Sequence, residues 1–254
     1  MNLYYELMQY PVFSIAELKK YYSNEESART ALKKLVREGL VAKIRNNMYT
    51  CMNGETREPV ANRFQIGCAV SSSAYISHHS AMEFYGLADQ IYYDVYVSSE
   101  TQFNEFSFWN YDYHYLKSRC PKGIVTPALG GGVRITDLER TVVDCLKDMD
   151  AIAGVEETLS DIAAVSRLSE DKLLEYLECY GNQFLYQKTG YVLWHHRERL
   201  HLSDEFFEAC KSRIGKSKRY FTKDDQSGRY DSEWKLVVPE RVFDLKNGEP
   251  DAYI

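Results

Sequence analysis

The sequence predicts an α+β protein in two parts: a small N-terminal domain of helices with a β-hairpin, and a larger domain in which a mixed sheet precedes several helices. Three observations predict this order. Apolar residues recur at helical spacing before residue 40, residues 91–135 are dense in strand-forming types, and residues 136–213 return to helical spacing. With 254 residues, 44% of them hydrophobic and 27% charged, the chain has the composition of a folded protein.

Two helices are predicted near the N-terminus. Ser14 and Ser23 each begin a Ser-x-x-Glu capping box, the pattern that starts a helix. The second helix, over residues 24–38, has a one-sided apolar stripe, and Gly39 then predicts its C-terminal cap. The stripe consists of Ala28, Ala31, Leu32, Leu35 and Val36.

A β-hairpin follows this second helix directly. Residues 40–45 and 48–51 alternate as strands do, and the Asn46-Asn47 pair between them tolerates the positive φ angles of a tight turn. A hairpin placed directly after the second helix of a helix-turn-helix is typical of a winged helix. We therefore predict a winged helix-turn-helix at 1–53, a linker at 54–65 and an α+β domain at 66–254.

The elements of the larger domain follow in order. A helix over 71–85 should end at Gly86, and a further helix should begin at a capping box formed by Thr136 and Glu139. Strands are predicted at 91–97, 103–109, 111–116, 124–129, 133–135 and 233–238, with a turn at Gly130-Gly131-Gly132. Later helices are predicted at about 154–165, 169–179, 183–200 and 203–213.

Charge is unevenly distributed along the chain. The net charge of −6 by itself argues against a nucleic-acid-binding protein. Residues 1–50, however, have eight basic and five acidic side chains, so this segment carries +3 and the remaining 204 residues carry −9. A basic N-terminal segment on an acidic body favours contact with DNA at one end of the protein.

A winged helix inserts its second helix into the major groove of DNA. Ser27, Arg29 and Thr30 lie near the start of that helix, where bases are usually contacted, and the basic residues further along suit phosphates. The predicted DNA-binding residues are Ser27, Arg29, Thr30, Lys33, Lys34, Arg37, Lys43, Arg45, Asn46 and Asn47. A solvated basic face without function is the alternative.

The six cysteines are widely spaced and form no Cys-x-x-Cys pair. This spacing argues against a disulfide framework or a thiolate zinc site, and it favours the reducing cytoplasm. No apolar run approaches the length of a membrane span, and no signal peptide is recognisable at the N-terminus. We expect a cytoplasmic protein that does not associate with a membrane.

Two longer motifs lie in the second domain. One is Tyr75-Ile76-Ser77-His78-His79-Ser80-Ala81-Met82-Glu83-Phe84-Tyr85-Gly86-Leu87, and the other is Ile135-Thr136-Asp137-Leu138-Glu139-Arg140-Thr141-Val142-Val143-Asp144-Cys145-Leu146. With the N-terminal winged helix, they make the chain resemble the AbiEi family from about residue 15 to 199. These proteins are antitoxins and transcriptional regulators of abortive-infection (AbiE) type IV toxin–antitoxin systems.

The resemblance implies two roles. The N-terminal domain would repress its own promoter by binding inverted repeats in double-stranded DNA, with a homodimer as one arrangement. The C-terminal domain would neutralise a nucleotidyltransferase-like toxin, with or without direct contact. The antitoxin-domain motif residues are His78, His79, Ser80, Asp137, Glu139, Arg140, Thr141 and Asp144. No catalytic residue, metal or cofactor is expected.

Several motif residues have simpler interpretations. Adjacent helical residues such as His78 and His79 point about 100° apart, so both cannot face one metal, and we expect one to pack while the other faces the surface or a partner. Arg140 either pairs with Asp144 one turn later or anchors a functional contact to Glu83 or Asp94.

Two rival classes of function stay open. In the first, the carboxylates of Asp231 and Glu233 hold a divalent ion and, together with Lys235, activate water, as in a metal-dependent nuclease. In the second, the winged helix binds another protein. Salt dependence separates this second class from DNA binding, because phosphate contacts weaken steeply as salt increases.

Overall fold

The computed structural model describes residues 3–244. Residues 1–2 of the predicted N-terminal domain and residues 245–254 of the predicted C-terminal domain lie outside this range. Its helices are α1 (Leu3–Leu7), α2 (Ile15–Lys19), α3 (Glu25–Arg37), α4 (Arg63–Cys68), α5 (His78–Phe84), α6 (Leu138–Asp148), α7 (Val155–Ala164), α8 (Glu170–Tyr180), α9 (Gln183–Trp194), α10 (Arg197–Leu200), α11 (Asp204–Arg213) and α12 (Glu240–Asp244). Its strands are β1 (Val41–Arg45), β2 (Met48–Cys51), β3 (Tyr75–Ile76), β4 (Asp94–Ser99), β5 (Phe106–Phe108), β6 (Tyr111–Lys117), β7 (Ile124–Val125), β8 (Ile135–Thr136), β9 (Arg219–Tyr220), β10 (Arg229–Asp231) and β11 (Leu236–Val238). The predicted α+β class is confirmed.

The chain divides into two compact units, and each unit is built from three chain segments. Unit 1 consists of Met1–Ile76, Tyr93–Lys117 and Thr126–Arg134. Unit 2 consists of Ser77–Tyr92, Ser118–Val125 and Ile135–Ile254. The domain boundary that we placed at residues 54–65 stays a prediction.

Of the first two predicted capping boxes, the one at Ser14 is confirmed and the one at Ser23 is wrong. Ser14 caps α2 as predicted, and the Glu17 side chain accepts a hydrogen bond from its backbone N–H at 2.7 Å. The cap of α3 is Asn24 rather than Ser23, because the Asn24 side-chain oxygen accepts from the Ser27 N–H at 2.9 Å. Asparagine is as good an N-cap as serine, and the helix therefore begins one residue later than the serine pattern indicates.

Helix α3 presents its apolar stripe to the core of unit 1, which also contains Leu7, Phe13 and Leu18. Three stripe residues are buried: Ala28, Leu32 and Leu35. The expectation fails for Val36, which is 38% exposed. Gly39 ends the helix with a φ of +72°, as predicted.

Strands β1 and β2 form the predicted antiparallel hairpin. Asn47 occupies its turn with a φ of +55°, which asparagine tolerates better than most residues. Phe13 and Tyr49 exchange two backbone hydrogen bonds of 2.9 Å, and this bridge adds a short third strand beside the hairpin. Two helices and a hairpin therefore follow in the order that the sequence predicts, whereas the bridge to Phe13 was not predicted.

The remainder of unit 1 is a mixed sheet in the order β5-β6-β4-β3. β4 and β6 are parallel, whereas β5–β6 and β3–β4 are antiparallel. Helix α4 approaches this sheet closely, since a Cβ at Gly67 would lie 2.9 Å from the side chains of Ile76 and Val97. Strands β4, β5 and β6 lie near their predicted positions, whereas β3 lies in a segment that we predicted as helix.

The predicted helix over 71–85 is wrong in its first half. Ser71 and Ser73 hydrogen-bond the Ser99 hydroxyl at 2.8 and 2.9 Å, and the chain then forms β3 before α5 begins at His78. Serine side chains that bond outside a helix compete with helix formation. The end of the helix is as predicted, with Gly86 at a φ of +71°.

Unit 2 is mainly helical, and its core draws on α5 to α11 and on β11. Helices α7, α8, α9 and α11 lie within one residue of their predicted starts, but the 183–200 segment breaks into α9 and α10. The predicted 233–238 strand is reduced to β11, which pairs with β9 and β10. Residues 232–235 form a turn instead.

The cap of α6 is Asp137 rather than Thr136. The Asp137 side chain accepts from the Arg140 N–H at 3.0 Å. Thr136 lies in β8, and its hydroxyl is 2.8 Å from that of Thr141. The capping box that we assigned to Thr136 and Glu139 is therefore wrong by one residue.

Arg140 is only 1% exposed and connects three parts of unit 2. Its guanidinium donates to Asp144 at 2.7 Å, to the backbone carbonyls of Cys120 and Lys122 at 2.9 and 2.7 Å, and to the Tyr180 hydroxyl at 2.8 Å. The predicted pair with Asp144 is confirmed. Arg140 thus supplies hydrogen-bond donors to the irregular segment between β6 and β7.

Cys120 and Cys179 form a disulfide with a Cα–Cα distance of 5.9 Å. The sequence analysis argued against a disulfide framework and did not find this single pair, because spacing along the chain does not show which loop lies beside which helix. The other four cysteines are buried, and burial raises the thiol pKa of Cys51 and Cys210 to about 12. Among residues 3–244, no helix combines the length and apolar character that crossing a bilayer requires.

Replacing Arg140 by methionine should lower the free energy of unfolding by about 3–5 kcal/mol, because Asp144 is left as a buried charge without its cation. Urea unfolding measures the change. Arg29→Met is the matched control, since Arg29 also pairs with a carboxylate four residues away, Glu25, but at the surface. Equal effects of the two substitutions would contradict the role given to Arg140.

Candidate functional site

A groove of about 700 Å³ runs between helix α3 and the β1–β2 hairpin in unit 1. Its basic and amide side chains come from both elements, and Leu32, Val36 and Tyr49 form its apolar floor with Ile15. Six of the ten predicted DNA-binding residues line it: Arg29, Lys33, Arg37, Lys43, Asn46 and Asn47. The structure therefore brings together side chains that lie up to 18 positions apart in the sequence.

Three of the cations in this groove have no acidic partner. Among the described residues, no carboxylate lies within ion-pair distance of Lys33, Arg37 or Lys43. All three side chains are exposed. Three cations that face a common groove without neutralisation produce a local positive potential, although the whole chain is acidic.

Arg29 differs from these three because Glu25 already pairs with it. The Arg29 Nε and Nη2 atoms lie 3.0 and 2.6 Å from Oε1 of Glu25. Lys19 contacts the other oxygen of Glu25 at 2.5 Å. These cations hold the pKa of the Glu25 carboxyl below its usual value. An anion that enters the groove must therefore compete with Glu25 for Arg29.

The hairpin turn is fixed to the start of α2. The Asn47 side-chain oxygen accepts a hydrogen bond from the Ile15 N–H at 3.1 Å. The side-chain oxygen of Asn47 is therefore occupied by this bond. The side chain of Asn46 is exposed and lines the groove. Asn47 thus sets the position of the hairpin relative to the helices.

Four predicted residues lie elsewhere. Ser27, Thr30 and Lys34 are exposed on α3 but outside the groove. Arg45 is directed to the sheet of unit 1, where its guanidinium lies 5.0 Å from the centre of the Phe106 ring. The register of the hairpin shifts between Lys43 and Arg45, so these two residues do not share a face as simple alternation predicts.

The antitoxin-domain motif residues are interior residues. Seven of the eight are at most 8% exposed: His78, His79, Ser80, Asp137, Arg140, Thr141 and Asp144. Glu139, which is half-buried, accepts from the Ser169 N–H at 2.9 Å and pairs with Lys172. Asp137 also accepts from the Tyr176 hydroxyl at 2.7 Å. The motif therefore organises the interior of unit 2.

Both adjacent histidines are buried, so the expectation that one faces the surface or a partner is wrong. The Nε2 atom of His78 lies 3.1 Å from Oδ2 of Asp148, and its Nδ1 lies 2.8 Å from the Ser77 hydroxyl. The Nδ1 atom of His79 lies 2.9 Å from Oδ2 of Asp161. The two rings diverge as predicted, and each has its own carboxylate.

The three residues of the nuclease hypothesis each make a local contact in unit 2. Asp231 accepts from the Trp234 N–H at 2.8 Å and stabilises the turn before β11. Glu233 is exposed and lies 3.7 Å from Lys211. Lys235 donates to the carbonyl of Gly215 at 3.0 Å. Each of these three residues thus has a separate local contact, and the nuclease hypothesis stays a prediction.

A carboxylate–histidine cluster that the sequence analysis did not find lies in unit 2. His79 is beside Glu157 and Asp161, and one ligand atom from each residue lies within 4.8 Å of the other two. Glu157 and Asp161 are one turn apart on α7, but 78 residues separate His79 from the first of them. The sequence shows that Glu157 and Asp161 are spaced i, i+4 and so share a helix face. It does not show that His79 lies beside them.

No protein-family model and no curated protein matches this chain. A solved structure with a similar fold is the RV2827C protein from Mycobacterium tuberculosis. Its TM-score is 0.62 at 12% sequence identity, and the match covers 96% of this chain and 92% of that one. At this identity the likeness concerns the fold alone, over nearly the whole of both chains.

Proposed function

We propose that this protein is a DNA-binding transcriptional autorepressor and the antitoxin of an AbiE-like type IV toxin–antitoxin system in the cytoplasm. The observation that carries the DNA-binding part is the groove between α3 and the hairpin, where Lys33, Arg37 and Lys43 have no acidic partner within residues 3–244. The antitoxin part rests on the two second-domain motifs and their resemblance to the AbiEi family.

The elements of unit 1 suit double-stranded DNA in a specific way. In a winged helix, the second helix enters the major groove and the wing lies against the neighbouring backbone. The groove between these two elements then holds one sugar–phosphate strand. Its cations contact phosphates, and Ser27 and Thr30 at the other side of α3 are left for base edges.

A protein-binding function for the same elements is the competing proposal. The groove has an apolar floor, which also suits a side chain of a partner protein. Unneutralised cations favour DNA, because phosphate binding releases counterions and a protein interface of ordinary composition does not. Salt dependence therefore distinguishes the two.

Lys33→Ala should weaken binding to a duplex from directly upstream of the gene and reduce the slope of log affinity against log salt by about 0.9. Lys34→Ala is the matched control, because it removes the same charge from the adjacent, exposed position outside the groove. Fluorescence anisotropy at several salt concentrations measures both variants. Identical losses for Lys33→Ala and Lys34→Ala would contradict binding in the groove, and salt-independent binding would favour a protein partner.

Glu25→Gln should strengthen DNA binding at low salt, because it releases Arg29 and Lys19 and removes a negative charge beside the groove. The gain should shrink as salt screens the charges. Glu26→Gln is the control, since it makes the same change of charge in the first turn of α3. If both variants bind more tightly by the same factor, net charge explains the gain and Glu25 does not compete for Arg29.

A full-length variant with Lys33, Arg37 and Lys43 replaced by alanine should lose repression of a reporter fused to the upstream DNA. It should still protect cells from the co-expressed nucleotidyltransferase-like toxin, because these residues lie in unit 1 and the family motifs lie mainly in unit 2. Immunoblots must show equal protein levels. Loss of protection together with repression would refute the division of roles.

A further inference from the structure

The cluster of His79, Glu157 and Asp161 in unit 2 has an excess of negative charge in its interior. Asp161 is 1% and His79 is 2% exposed, whereas Glu157 is half-buried. Within residues 3–244, no lysine or arginine pairs with either carboxylate of the cluster.

Several polar atoms of this cluster have no hydrogen-bond partner among the described residues. They are Nε2 of His79, Oδ1 of Asp161 and Oε1 of Glu157. Buried polar atoms are normally satisfied, and each exception requires an explanation. A bound cation would satisfy the carboxylate oxygens and neutralise their charge together.

The neighbouring pair of His78 and Asp148 provides an internal comparison. There, Lys147 also contacts Asp148, so a second cation accompanies the histidine. In the His79 pair, the third group is the carboxylate of Glu157. The two adjacent histidines thus differ in the charge around them. The carboxylate paired with His78 also contacts a lysine, whereas the carboxylate paired with His79 lies beside a second carboxylate.

We propose that His79, Glu157 and Asp161 bind a zinc ion that connects α5 to α7. One imidazole nitrogen and two carboxylate oxygens are ligands that zinc accepts, and imidazole favours zinc over magnesium or calcium. Three protein ligands leave one position of a tetrahedral site for water. Tyr92 packs against the site, with its ring edge-on to His79 at 3.9 Å between centroids.

Outer contacts hold the zinc ligands in place. The Gln90 side chain reaches the Tyr92 hydroxyl at 2.6 Å and the second oxygen of Glu157 at 3.5 Å. Such contacts orient the residues that bind a metal and tune the properties of the metal. The three proposed zinc ligands belong to unit 2, whereas the groove between α3 and the hairpin belongs to unit 1.

The test measures zinc in the full-length protein after chelator treatment, reloading with Zn²⁺ and desalting. The wild type should retain one zinc per chain by mass spectrometry, and Zn²⁺ should raise its unfolding temperature. Glu157→Gln should lower the affinity at least about tenfold, since it removes a charged ligand from a surface-accessible position. His79→Gln should do the same.

Two controls accompany these variants. Glu156→Gln changes the adjacent, exposed acid, which pairs with Arg241, and His78→Gln changes the histidine whose carboxylate partner also contacts a lysine. Both should bind zinc as the wild type does. Absence of retained zinc and of any thermal shift in the wild type overturns the proposal. Equal zinc affinities of Glu157→Gln and Glu156→Gln also overturn it, as does displacement of zinc by millimolar Mg²⁺.

Discussion

The interior of unit 2 depends on one electrostatic constraint: a charge that leaves water must meet an opposite charge or a hydrogen bond. Arg140 satisfies this constraint most completely. It pairs with Asp144 and donates to two backbone carbonyls that belong to no strand or helix. Asp148 lies one turn further along α6 and pairs with His78. Helix α6 is therefore positioned by its carboxylates as well as by its apolar face.

The same constraint distinguishes the candidate sites from the rest of the molecule. Lys188 is buried and lies 3.4 Å from Asp150, so it belongs with the satisfied interior charges. In the groove of unit 1, Lys33, Arg37 and Lys43 have no carboxylate partner among the described residues, and solvent can hydrate them. In the cluster around Asp161, no lysine or arginine of the described part of the chain pairs with the two carboxylates, and His79 pairs with Asp161. The first situation suits a large anion that approaches from outside, and the second suits a small cation held within.

Local signals in the sequence predicted most helices and the hairpin, because capping residues, apolar periodicity and glycine act over a few positions. Where several local partners compete, the prediction shifted by a residue, as at Asn24 and Asp137. The 71–85 helix failed because Ser71 and Ser73 bond to Ser99, a partner that no local pattern reveals. Six of the predicted DNA-binding residues line the groove, because they lie on elements that are neighbours in the sequence. Arg45 was misplaced because it contacts Phe106, which lies 61 residues further along the chain.

The interleaving of chain segments has a consequence for synthesis on the ribosome. The first segment of unit 1 ends at Ile76, but its last segment ends only at Arg134. At about 5–20 residues per second, the N-terminal elements wait roughly 3–12 s for their remaining partners to be translated. Residues 77–92, which belong to unit 2, emerge during that interval without most of their own unit. Unit 1 is therefore complete only when about half of the chain has been made, and until then its N-terminal elements lack part of their core.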